Sequence, residues 1–100
     1  MSSPTHFLYM IHPPRPTFVK DASADELAVM KVHFAYLAGL SEAGKLLLAG
    51  PCLDEGGFGV GIFKVTDPEE AKALAAGDPA VSGGLMRPEL HPVRLAFLKE

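Results

Sequence analysis

Two residues stand out for the chemistry they could do together. His33 falls on the apolar side of a helical pattern. At 3.6 residues per turn Leu27, Met30, Phe34, Leu37 and Leu40 form a stripe, and His33 lies inside it. Further along, Gly77-Asp78-Pro79 offers it a carboxylate at a turn. An imidazole, with an unperturbed pKa of about 6.5, can take up a proton and return it near neutral pH. A carboxylate beside it fixes the tautomer and steadies the imidazolium as it forms. Each residue also has a plain structural reading. A histidine turned towards a core can simply donate to a carbonyl, and Asp78 can serve as a helix cap.

Other groups add less. Ser82 follows Asp78 closely enough to share a cleft, but it lacks the strained Gly-x-Ser-x-Gly elbow of a hydrolase nucleophile. It is read as a hydrogen-bonder to substrate or as a solvated turn. Arg87 precedes Pro88, which holds it in extended backbone, and Arg94 faces opposite to Val93 and Leu95. Either arginine could grip a substrate carboxylate with two hydrogen bonds or make a surface or dimer salt bridge. Cys52, the only cysteine, cannot form an intrachain disulfide. Within the apolar run 48–53 it reads as a small packed hydrophobe rather than a nucleophile. A metal centre needs three or more convergent ligands. His6, His12, His33 and His91 show no such spacing, and His6 and His12 stand about 20 Å apart at opposite ends of one strand face. No metal and no cofactor are expected.

The elements that must position these groups follow from pattern and punctuation. His6–His12 reads as a strand closed by Pro13-Pro14, and 13–22 as a loop in which Pro16 prevents regular structure. Ser23-x-x-Glu26 is a capping box that opens a helix running to about Ala43, where Gly44 ends it. A strand is expected over 45–53, bent or bulged at Gly50-Pro51, then a hairpin loop at 54–57 and a returning strand over 58–65. Asp67-Pro68 opens a second helix with a capping aspartate, proline at the first position and acidic residues in the first turn. It ends at Gly77. Asp78-Pro79 repeats the device and predicts a short helical turn over 79–83. The last strand is expected over 89–98.

The order βαββαβ is the ferredoxin-like α+β arrangement, a four-stranded antiparallel sheet with two helices on one face. Yet 7–11 and 46–49 are apolar at every position, the pattern of strands covered on both faces. With no sequence left over for that cover, a second copy of the chain is expected to supply it, giving a homodimer of packed sheets. Gly57, Gly59 and Gly61 line one face of the third strand. They leave room for a partner backbone or a ligand, or merely mark a twisted hairpin.

Three segments together closely resemble the YCII-related family of small dimeric α+β barrel proteins. They are His33-Phe34-Ala35-Tyr36-Leu37, Gly44-Lys45-Leu46-Leu47-Leu48-Ala49-Gly50-Pro51 and Gly77-Asp78-Pro79-Ala80-Val81. The resemblance covers almost the whole chain as one domain. It implies that His33 and Asp78 pair in an active-site cleft. It also makes His91, in Glu89-x-His91-Pro92, a second candidate for that cleft. Many members carry an aromatic residue after that His-Pro, where this chain has Val93.

The bulk numbers bound the rest. One hundred residues, 48% hydrophobic and 21% charged, suit one globular domain with a two-layer core. A net charge of -3 with scattered Lys and Arg argues against nucleic-acid or membrane-surface binding. No secretory signal is read, and no window approaches the roughly 18 apolar residues that span a bilayer, so a cytoplasmic protein is expected. The expected function is a small cofactor-free enzyme. His33 and Asp78 would carry out general acid–base chemistry of isomerase or lyase type on a small unsaturated or cyclic organic acid. Ser82, Arg87 and His91 would contact the substrate. The competing reading is a non-catalytic dimer that binds a metabolite or a protein, with His33 and Asp78 as a buried structural pair.

Overall fold

The computed structural model describes residues 3–54 and 56–99. Its elements are β1 (His6–His12), α1 (Phe18–Asp21), α2 (Ala24–Glu42), β2 (Leu46–Pro51), β3 (Gly59–Lys64), α3 (Pro68–Gly77), α4 (Pro79–Ser82) and β4 (Arg87–Val93). The strands form one antiparallel sheet in the order β2-β3-β1-β4. This is the ferredoxin-like α+β arrangement.

The helix boundaries follow local chemistry. The Ser23 hydroxyl accepts from the Glu26 N–H while the Glu26 carboxylate accepts from the Ser23 N–H, so two orphan amides at the start of α2 are satisfied reciprocally. Asp67 caps α3 by accepting from the Glu70 N–H at 2.9 Å, and Asp78 caps α4 through the Ala80 N–H. Gly44 ends the α2 turn with φ of 77°, a conformation that a side chain would disfavour.

Side-chain alternation sets the core. Phe7, Tyr9 and Ile11 of β1 are buried with Leu46 and Phe63, against Ala71 and Ala75 of α3 and Ala80 of α4. The Tyr9 and Phe63 rings stack at 4.7 Å. The small alanines let the helices approach the sheet closely. The alternate set, Leu8, Met10, Val60 and Ile62, points to the opposite face and is only half-buried. Gly59 and Gly61 lie across from Ile11 and Tyr9. A Cβ on Gly59 would stand 3.0 Å from Ile11 Cγ1, so what approaches these glycines closely is the chain's own core.

Three features depart most from the sequence expectation. Residues 18–21, expected as loop, form α1: Pro16 precedes the turn rather than interrupting it, and the buried Phe18 ring anchors it. The last strand covers Arg87–Val93 rather than 89–98. Its register pairs Arg87 with His12 and Val93 with His6, so the ladder stops where β1 stops. The irregularity in β2 lies between Leu46 and Leu48, not at Gly50-Pro51. Pro88 and Pro92 are tolerated because β4 is an edge strand with amides to spare.

Candidate active site

His33 is the one residue of the 19-residue α2 that is buried, at 3% exposure. The expected stripe divides around it. Met30, Leu37 and Leu40 lean on the core, while Leu27 and Phe34 stay exposed. Beneath His33 lies Asp78, with no exposed surface at all. His33 Nδ1 stands 2.7 Å and 2.9 Å from the two carboxylate oxygens. The other donors come from separate elements: the Tyr9 hydroxyl on β1 donates to Oδ2 at 2.8 Å, and the Ala80 N–H at the start of α4 donates to Oδ1 at 2.9 Å. One carboxylate therefore ties α2, β1 and α4 together.

The electrostatics follow from this donor set. Burial pushes the Asp78 carboxyl up, but the hydrogen bonds from His33, from the Ala80 N–H and from Tyr9 outweigh it and hold the group below its ordinary value. Asp78 is therefore an anion, and an anion only accepts hydrogen bonds. Nδ1 of His33 must carry the proton. Tyr9 is pushed strongly upward by burial and by the Asp78 charge it donates to, so it stays a phenol. Tyr36, one turn along α2 from His33, donates to the Leu74 carbonyl at 2.7 Å, and burial and the Asp78 charge raise it as well. A Cβ on Gly77 would come within 3.1 Å of that hydroxyl, so the glycine before Asp78 makes room for Tyr36.

The other ring nitrogen faces a cavity. Nε2 of His33 has no hydrogen-bond partner among the described residues, yet it is not a sealed and unsatisfied atom. Its ring lines a cavity of about 1090 Å³ between α2, α1 and the β2–β3 side of the sheet. With Nδ1–H committed to Asp78, Nε2 of the neutral ring presents a lone pair to that space, the arrangement of a general base held in one tautomer.

Not all expected site residues gather here. Ser82 is exposed at the end of α4 and does not line the cavity. Arg87 is exposed and sits across from His12, on the sheet face opposite to Tyr9. His91 is on that face too, opposite Leu8, where Glu89 bridges it to His12. Arg94 lies beyond β4 and is exposed. Cys52 is half-buried and lines the far end of the cavity. Among the described residues no group of three or more His, Cys, Asp or Glu is placed to hold a metal ion, and no helix is long and apolar enough to cross a membrane. Sequence reasoning missed Tyr9. The signal was present in the alternation of β1, which places its hydroxyl on the same inward face as Phe7 and Ile11, where it must find a partner.

Comparisons with known proteins agree with this architecture. A search of the curated proteins finds no match. Among solved structures, 5-chloro-2-hydroxyhydroquinone dehydrochlorinase from Burkholderia phenoliruptrix AC1100, in complex with 2,5-dihydroxybenzoquinone, is similar in fold. The TM-score is 0.64 at 19% identity, over 88% of this chain and 93% of that one. The YCII-related domain model matches residues 7–90. The chain, with its helix histidine and its Asp-Pro turn inside that match, belongs to the YCII-related family.

Proposed function

We propose that this protein is a general acid–base enzyme in which Nε2 of His33 takes a proton from a small unsaturated or cyclic organic substrate. The observation that carries the reading is the orientation of one ring: Nδ1–H is spent on a buried anion while Nε2 meets the cavity. The abstracted proton either returns to a different atom of the substrate, which is isomerisation, or remains while a neighbouring group leaves, which is elimination. Asp78 positions the ring and stabilises the imidazolium, and Tyr9 holds Asp78 in place. The fold likeness to a dehydrochlorinase, an enzyme of the elimination type, supports the lyase branch.

We also propose that the active molecule is a homodimer. The sheet face carrying Leu8, Met10, Val60 and Ile62 is apolar along its centre and only half-buried, and a second copy of the chain would cover it.

The test of catalysis is a screen for turnover of hydroxylated and halogenated compounds of one and of two fused six-membered rings, 5-chloro-2-hydroxyhydroquinone among them. It compares the wild-type protein with His33→Gln. General-base catalysis contributes typically 10²–10⁴-fold, so the variant is expected to lose about two orders of magnitude or more. A variant that turns over the same substrate at the wild-type rate would overturn the role of His33.

A further inference from the structure

We infer that the cavity under α2 takes an uncharged, predominantly apolar molecule larger than a single ring, presenting one acidic O–H or C–H to His33, and not a small carboxylate. The inference deepens the acid–base reading and rests on it for the orientation of the ligand alone.

Three observations carry it. The first is charge. Among the described residues that line the cavity, the only fully charged side chains are Lys20 and Asp54. Both are exposed and opposite in sign. The arginines that would grip a carboxylate are elsewhere: Arg87 lies on the other face of the sheet, and Arg15 is engaged by Asp21 and Glu26 and does not line the cavity. Behind His33 stands the Asp78 anion. A carboxylate placed against Nε2 would lose its hydration, find no cation at the floor and face that negative charge. Burying an unpaired carboxylate costs more than apolar contact with one small ring returns.

The second observation is the wall. Phe18, Met30, Phe34, Leu37, Leu46 and Met86 line the cavity together with His33. This is the surface that takes an apolar body and leaves one polar atom to fix its orientation. His33 is the second, independent feature that makes the groove a ligand site. It is a polar side chain only 4% exposed that lines the cavity, with one nitrogen unpartnered among the described residues and not sealed off.

The third observation is size. Ligand sites for drug-sized molecules run to roughly 300–1,000 Å³. At about 1090 Å³ the cavity is far larger than a single six-membered ring needs, and it continues past the ring position to Val19 and Leu53. An occupant that fills it carries an apolar extension along β2 and α1.

A matched pair of probes tests this. 2-Naphthol and 2-naphthoate share one apolar bicycle, and at pH 7 the first is an uncharged phenol and the second a carboxylate. Titration of each into wild-type protein by calorimetry is expected to show 2-naphthol binding at least tenfold more tightly. Phe34→Lys, at an exposed helix position on the cavity wall, adds a cation without disturbing the core and is expected to narrow that ratio. Equal affinities, a preference for naphthoate, or no binding of naphthol would each overturn the inference. The ratio reads the walls and not proton transfer. A failure of catalysis in the turnover screen with naphthol preference intact therefore sinks only the enzyme reading, and the reverse result sinks only this one.

Discussion

Asp78 is an anion that three elements have to agree on. Removing it leaves the His33 ring, the Tyr9 hydroxyl and the Ala80 N–H without their acceptor at a position with no exposed surface. Asp78→Ala is therefore expected to destabilise the protein by about 3–5 kcal/mol, read from urea denaturation; a loss under about 1 kcal/mol would show that the pair is not a structural link. Tyr9→Phe removes one donor and keeps the ring stacked on Phe63, so about 1–2 kcal/mol is expected. The same variant carries a sign in pH. The native Asp78 carboxyl lies below its ordinary value. Its contribution is thus present above the unfolded pKa of about 3.9 and is lost as pH falls through the native one. With one donor gone the native value rises, and acid unfolding of Tyr9→Phe should begin at higher pH than in the wild type. The tautomer is testable directly: 15N NMR of the neutral His33 ring should show the proton on Nδ1.

At the scale of elements, α1 is the piece that no local rule demanded. Thr17 gives it no side-chain cap, and four residues are too few to be helical alone. Two things hold it. Phe18 is buried, and Arg15 spans from Asp21 to Glu26 with hydrogen bonds of 2.7–3.1 Å. Glu26 is also the capping-box carboxylate of α2, so one side chain fastens the helix start and the turn before it. The Arg15 guanidinium and the Ser23 N–H hold Glu26 down to about 2. Native-state stability from this contact is complete above the ordinary Glu value of about 4.3 and fades as pH falls towards that native value. Arg15→Ala is expected to speed hydrogen exchange across 18–21 while leaving the middle of α2 protected. It should also flatten the acid limb of the stability curve. Unchanged exchange at Phe18 and Val19 would show that the aromatic anchor alone suffices.

For the molecule as a whole, the sheet separates two roles. One face is core and site; the other carries Leu8, Met10 and Ile62 down its centre, with His12, Glu89 and His91 joined at one edge. If that face is the dimer contact, Met10→Lys puts an ammonium into it with no disturbance of the Phe7–Tyr9–Ile11 side. Sedimentation should show the wild type as a dimer and the variant shifted towards monomer at equal concentration. A wild type that sediments as a monomer at all accessible concentrations would remove the dimer proposal.

The element order and the helix caps were legible in the sequence because each rests on short-range chemistry; the pairing of His33 with Asp78, 45 residues away, was implied by the family resemblance and made by the tertiary fold. Ser23 with Glu26, Asp67 with Pro68 and Asp78 with Pro79 act within four residues, and alternation or 3.6-residue periodicity fixes which side chains share a face. What tertiary structure alone decided was set by neighbours distant in the chain. The end of β4 is dictated by the length of β1, and α1 exists because Phe18 has a core to enter. Tyr9 meets Asp78 across 69 residues. The substrate-side residues moved most. Arg87 and His91 follow the Asp-Pro turn closely in sequence, but pairing with β1 places them across from His12 and Leu8, on the face away from the cavity. A strand's side chains alternate by residue, and only the register against its neighbour says which set looks at the site.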